Sequence, residues 1–113
     1  MQKIYLMSYS VKITPKFEKE LKRLAKIYPS VKSEYPLLVK SLKENPAQGI
    51  SLGNSCCKIR LSIASKGKGG GARVITCVQI LKSTVYLLTI FDKSDRENIS
   101  DQELAELLEY TAK

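Results

Sequence analysis

Histidine and tryptophan are absent from this chain of 113 residues, and cysteine occurs only three times. Without imidazole there is no Ser-His-Asp or Cys-His triad, no histidine-ligated zinc and none of the histidine acid/base pairs of many nucleases. Any catalysis must run on Lys, Arg, Tyr, Ser, Cys or carboxylates. Cys56 and Cys57 are adjacent and Cys77 stands alone. That spacing gives neither a CxxC pair nor a disulfide framework, and reads as reduced thiols in a cytoplasmic protein. Long apolar runs are missing as well. Ile4 to Met7 is far short of a signal-peptide core or a membrane span, so a cytosolic protein with no membrane partner is expected. Met7 offers an alternative start, and residues 1–7 read as a dispensable N-terminal extension of a single domain spanning 1–113.

What the chain has in excess is positive charge: 19 Lys and Arg against 11 Asp and Glu, a net +8. Residues 1–46 carry 10 basic and 4 acidic side chains, residues 56–96 carry 8 and 2, and residues 97–113 carry 1 and 5. A basic body with an acidic tail suits an anionic partner, with nucleic acid the first candidate. An apolar fraction of 43% fits one soluble domain, which at this length buries roughly 65% of its unfolded surface.

Val11 and Ile13 alternate with polar residues before Thr14-Pro15, which predicts a short strand and then a helix capped by Thr14. Phe17, Leu21, Leu24 and Ile27 fall at helical spacing, leaving Lys16, Lys19, Lys22, Arg23 and Lys26 on a basic back. Tyr28-Pro29 breaks this helix. A second helical pattern runs through Tyr35, Leu38, Val39 and Leu42, with its start expected near Ser33 so that Pro36 falls in the first turn. Asn45 to Ser55 reads as a loop. From Cys57 the period becomes two, and Lys58 and Arg60 share the polar face of a strand whose other face holds Cys57, Ile59 and Leu61. The KGKGGG run at 66–71 reads as a flexible hairpin loop, not a P-loop, because the GK[ST] ending and the helix behind it are missing. Strands follow at Ala72 to Ile80 and Thr84 to Phe91. Ser100 and Glu103 then form a capping-box pattern that opens a terminal helix. The expected order is β-α-α-β-β-β-α, an α+β fold.

Lys58, Arg60 and Arg73 come together if the hairpin closes, with no carboxylate between residues 56 and 91. Each is an ordinary polar residue of a solvated strand face when taken singly. Together they repel one another unless an anion compensates them, and a phosphate supplies that compensation. Lys66 and Lys68 in the glycine loop offer further phosphate contacts. Cys57 reads as a small core side chain rather than a nucleophile. No paired aromatics of the RNA-recognition-motif kind appear on a strand. Asp92, Asp95 and Glu97 read as a solvated turn rather than a metal site, because Lys93 and Arg96 interleave with them.

The stretch CKIRLSIASKGKGGGARVITCVQI, followed by VYLLTIFDKSDRENIS, resembles the RelE/ParE superfamily of bacterial toxins, and its glycine-lysine hairpin with LLTIFDKS is similar to the HigB-like branch. The likeness runs from about Tyr9 to Leu108. It implies a helical hairpin packed on a small twisted, mostly antiparallel sheet with a C-terminal helix, whose concave face meets RNA. It also implies metal-independent cleavage of messenger RNA in the ribosomal A site, near 16S rRNA. There the 2′-OH attacks the adjacent phosphate to leave a 2′,3′-cyclic phosphate, with no cofactor.

The resemblance places the family's catalytic basic residues on Lys58, Arg60 and Arg73, with Lys58 as the candidate base. RelE carries an arginine and then a tyrosine after the last strand, whereas this chain has Ser94 and Ser100 there. Lys93 is the candidate replacement cation and Arg96 the second, while Tyr110 lies further along the last helix. Lys16, Lys19, Lys22, Arg23, Lys26, Lys66, Lys68 and Arg96 are the candidate RNA and ribosome contacts. The implied partner is an antitoxin, expected to be a small helix-turn-helix protein. Two other readings remain open: a ParE-like toxin that inhibits DNA gyrase, and an RNA-binding module without chemistry.

Overall fold

The computed structural model describes residues 8–67 and 69–112. Lys68 and the N-terminal extension lie outside the described residues. Strand β1 (Ser10–Ile13) leads into helix α1 (Pro15–Ile27). The Thr14 hydroxyl accepts a hydrogen bond from Phe17 N at 3.0 Å and donates to Leu88 O at 3.0 Å, so one buried side chain caps the helix and ties it to the sheet. Tyr28 leaves the helical region and ends α1 one residue before Pro29.

Helix α2 spans Val31–Glu44 and starts earlier than Ser33, so Pro36 sits inside it. The turn after Pro29 already winds helically: Val31 N donates to Tyr28 O and Lys32 N to Pro29 O. Val31 is fully buried, which draws the first turn onto the sheet. Burial of that side chain outweighs the hydrogen bond that Pro36 cannot make.

The segment expected to be a loop before Cys56 contains a strand, β2 (Ile50–Gly53), paired antiparallel with β3 (Cys56–Leu61). Asn54 and Ser55, both at positive φ, form the two-residue turn between them, the backbone pattern of a type I′ hairpin. Strands β4 (Ala72–Gln79) and β5 (Thr84–Asp92) follow, separated by a 3₁₀ turn at Ile80–Lys82. The sheet order is β1-β5-β4-β3-β2, with β1 parallel to β5 and every other pair antiparallel.

Both faces of the sheet are covered, and this explains the apolar run of β5. On the inner face Ile59, Leu61, Val74, Val85 and Leu87 pack against Phe17, Leu24, Val31, Leu38 and Leu42 of the helical hairpin. On the outer face Cys56, Ile75, Cys77, Leu88 and Phe91 meet Leu104 and Leu107 of helix α3 (Asp101–Leu108), which a 3₁₀ turn at Glu109–Ala112 extends. The Ser100 hydroxyl caps α3 by accepting from Glu103 N at 3.1 Å. Among the described residues no helix is long and apolar enough to cross a membrane. The fold is α+β: three helices on a five-stranded mixed sheet.

Candidate functional site

Alternation along β3 sends Lys58 and Arg60 to the outer face, and the hairpin register sets Arg60 directly opposite Arg73 and Lys58 opposite Ile75. Helix α3 covers the end of that face around Cys56 and Cys77. At the other end a cavity of about 140 Å³ is lined by Ile50, Lys58, Arg60, Arg73, Lys93 and Glu97. With water occupying about 30 Å³ in the liquid, this is room for about five waters or one phosphate group with part of its hydration. Four of its five charged groups are cations.

Arg73 is 4% exposed and lies in the cavity wall. Its Nη1 donates to Gly70 O at 3.2 Å and to Ala72 O at 3.0 Å, and its Nη2 to Gly69 O at 3.4 Å. A guanidinium has five N–H donors, so Nε–H and one Nη2–H remain without a protein partner among the described residues. The carbonyls of Gly69, Gly70 and Ala72 thus cradle the Arg73 guanidinium. Gly71, at φ 87°, brings the chain so close to β3 that a Cβ there would stand 2.6 Å from Leu61 O. No side chain fits, which makes glycine the residue that lets β4 start with Arg73 against the carbonyls.

The remaining cations arrive from two other directions. Lys93, just past β5, donates from Nζ to Gly69 O at 2.7 Å and faces Glu97 Oε1 at 3.6 Å. Lys58 Nζ donates to Asn98 Oδ1 at 2.6 Å and to Glu97 O at 3.4 Å. These acceptors suit an ammonium that donates, whereas a base needs its lone pair free. Arg60 is exposed and has no partner among the described residues, so its guanidinium is free to turn toward an anion. Opposed like charges on neighbouring strands are destabilising, on the order of 1 kcal/mol in water and more beside a low-dielectric wall. The carbonyls around Arg73 and the Glu97 carboxylate offset only part of this.

Other residues expected to bind RNA are engaged within the fold. Lys66 stands 3.2 Å from the Asp92 carboxylate and from Ser94 Oγ, and lies over the Tyr28 ring. Tyr28 and Asp92 raise its pKa, locking it as an ammonium that braces the loop. Asp92 is 5% exposed, not part of a solvated turn. Burial opposes its ionisation, but the Ser94 N–H and hydroxyl, the Tyr28 hydroxyl and Lys66 outweigh that cost and hold its pKa at about 2. Arg96 forks onto Glu103 at 2.7 and 2.8 Å and covers the Phe91 ring, so it ties α3 to the preceding turn. Its hydrogen bonds, and then its charge, lower the Glu103 pKa against the effect of burial. Asp95 and Glu97 are exposed, and the described residues contain no group of His, Cys, Asp or Glu placed to hold a metal ion.

On α1, Lys16 pairs with Glu20 and Lys22 with Glu18, while Lys19, Arg23 and Lys26 are exposed without ion-pair partners among the described residues. The apolar side of α1 packs on the inner sheet face, Arg23 lines a groove with Asp92, Asp95 and Arg96 beside the end of β5, and no α1 residue lines the cavity. All three cysteines are buried and free. Cys57 shares its side of β3 with Ile59 and Leu61, and Cys56 stands opposite Cys77 under α3. Sequence reasoning missed Asn98 as a partner of Lys58 and Glu97 as a member of the cavity. They lie 40 and 39 residues from Lys58, and no local pattern links them.

Known proteins share this fold. The family model described as the RelE toxin of the RelE/RelB toxin-antitoxin system matches residues 18–113. An arginine-substituted mutant of the Escherichia coli toxin RelE in the free state superposes with a TM-score of 0.62 at 15% identity, covering 91% of this chain and 97% of that one. A chain of the RelBE2 toxin-antitoxin complex from Mycobacterium tuberculosis gives 0.55 at 15% identity, over 75% of this chain and 91% of that one. No curated protein sequence matches. With the family model spanning nearly the whole sequence and the same fold in these structures, the chain belongs to the RelE family of toxins.

Proposed function

We propose that this RelE-family chain is an endoribonuclease that cuts messenger RNA on the ribosome and so inhibits translation. The reaction is attack of a ribose 2′-OH on the neighbouring phosphate, giving a 2′,3′-cyclic phosphate and a 5′-OH. The observation that carries this reading is the convergence of Lys58, Arg60, Arg73 and Lys93 on one cavity. The free Nε–H and Nη2–H of Arg73 fork onto the non-bridging phosphate oxygens, and Arg60 closes on them from the solvent side. Lys58 and Lys93 stabilise the charge that builds on the phosphorane and the departing oxygen. Their donors are already oriented by backbone and amide acceptors, so little reorganisation is needed at the transition state. The M. tuberculosis protein is in complex with an antitoxin, which supports a cognate antitoxin for this chain as well. A segment covering the cationic cavity would neutralise it.

The test is to add purified protein to translating ribosomes and map 5′ ends on the message. Codon-phased cuts are expected from the wild type. Arg73→Ala should slow cutting by about 10²–10³-fold, the loss typical of one transition-state donor. Arg73→Lys keeps the charge but not the fork, and should remain severely impaired in a folded protein. Intact message with inhibition of DNA supercoiling would instead place the chain with ParE-like toxins. RNA binding without either effect would make it a binding module.

A further inference from the structure

We infer that Glu97 is the general base of this site, the group that removes the proton from the attacking 2′-OH. The inference rests on the nuclease reading above and specifies its proton transfer. Attack requires an acceptor with a free lone pair, and most side chains around the cavity lack one. Guanidinium groups have no acceptor, Ile50 is apolar, Lys58 Nζ is spent donating to Asn98 Oδ1 and Glu97 O, and Lys93 Nζ donates to Gly69 O. Glu97 brings the one carboxylate that lines the cavity among the described residues.

Its setting fits the task. The side chain is 67% exposed, so an incoming ribose can reach it. One oxygen faces Lys93 at 3.6 Å, a loose pairing that leaves the second oxygen open. The Glu97 carbonyl accepts from Lys58, which fixes the residue's backbone between the two ammonium groups. In the step itself the Glu97 carboxylate takes the 2′-OH proton as the O2′–P bond forms. The P–O5′ bond breaks with its electron pair on O5′, and a lysine ammonium of the cavity gives that oxygen a proton. Solvent then takes the proton from the Glu97 carboxylic acid and restores the lysine, so no redox partner is involved.

Single-turnover cutting of ribosome-bound message by wild type and Glu97→Gln tests this. The variant should lose at least about 100-fold in kcat, within the range for a positioned base. Its KM should stay the same or fall, because removing a negative charge from a cationic cavity favours RNA. A second message with a 5′-bridging sulfur at the cut site separates base from acid, since a thiolate leaves without being protonated. The Glu97→Gln defect should persist on that substrate, whereas the defect of an acid would be relieved. Restoration by the sulfur, or a kcat within about threefold of wild type, overturns the assignment while the nuclease reading stands. Intact message with the wild-type protein overturns both.

Discussion

Asp92 shows how far one side chain's role depends on partners distant in sequence. Its neighbours Lys93, Ser94 and Asp95 describe a hydrophilic turn, yet its carboxylate is bound by Tyr28 and Lys66, 64 and 26 residues away. The face of Lys58 and Arg60 was legible because strand alternation fixes it, and Arg73 because it follows the glycines directly. Nothing local marks Asp92 as buried or Glu97 as part of the cavity. The folded protein holds the Asp92 pKa at about 2, below the ordinary 3.8, so folding favours the ionised form. The resulting stabilisation is fully present above about pH 4 and is lost as the pH falls through about 2. A depression of nearly two units corresponds to about 2 kcal/mol. Asp92→Asn should therefore be less stable than wild type by about 2 kcal/mol at pH 7. Urea titrations at a series of pH values should show that gap narrowing below pH 4 and closing near pH 2.

Helices α1 and α3 follow their caps and periodicity, whereas α2 and β2 follow tertiary contacts. Strand β2 has four residues, a bulge between Ser51 and Gly53 and mostly exposed side chains, so no hydrophobic alternation marks it. Its pairing depends on Gly49, at φ 97°, where a Cβ would stand 2.5 Å from Lys58 O. Only the contact with β3 reveals this strand, and that contact places Ile50 opposite Lys58 at the cavity. In α2 the rule that proline belongs in the first turn gave way to the burial of Val31. Pro36 is exposed, lacks the N–H that would reach Lys32 O, and crowds that carbonyl. Interior helix proline costs about 3 kcal/mol, partly offset by the proline's restriction of the unfolded chain. Pro36→Ala should stabilise the protein by about 1–2 kcal/mol and raise its melting temperature by about 4–8 °C, as calorimetry can measure. Cleavage should not change, because α2 packs on the inner face.

Two groups of cations, one lining the cavity and one along α1, give the molecule two modes of anion contact. The cavity holds its cations in fixed geometry against carbonyls and an amide, which suits discrimination between a ground state and a transition state. Lys19, Arg23 and Lys26 on the outer side of α1 are solvated and lack ion-pair partners among the described residues, which suits contacts to phosphates without regard to sequence. Charge counts along the chain anticipated both groups but not that no α1 residue lines the cavity, since that follows from which face of the sheet each element packs on. The two should respond differently to salt. Each phosphate contact adds about 0.7–0.9 to the slope of log affinity against log salt concentration. The triple variant Lys19→Gln, Arg23→Gln, Lys26→Gln should lower the slope for ribosome association by about 2, weakening binding most at low salt. It should leave the cutting rate of ribosome-bound message unchanged, because the cavity keeps all four of its cations. Sedimentation across a potassium chloride series measures the first quantity and single-turnover cleavage the second. A slope that does not move would assign the ribosome contacts to the cavity face, so that one surface would have to serve both docking and chemistry.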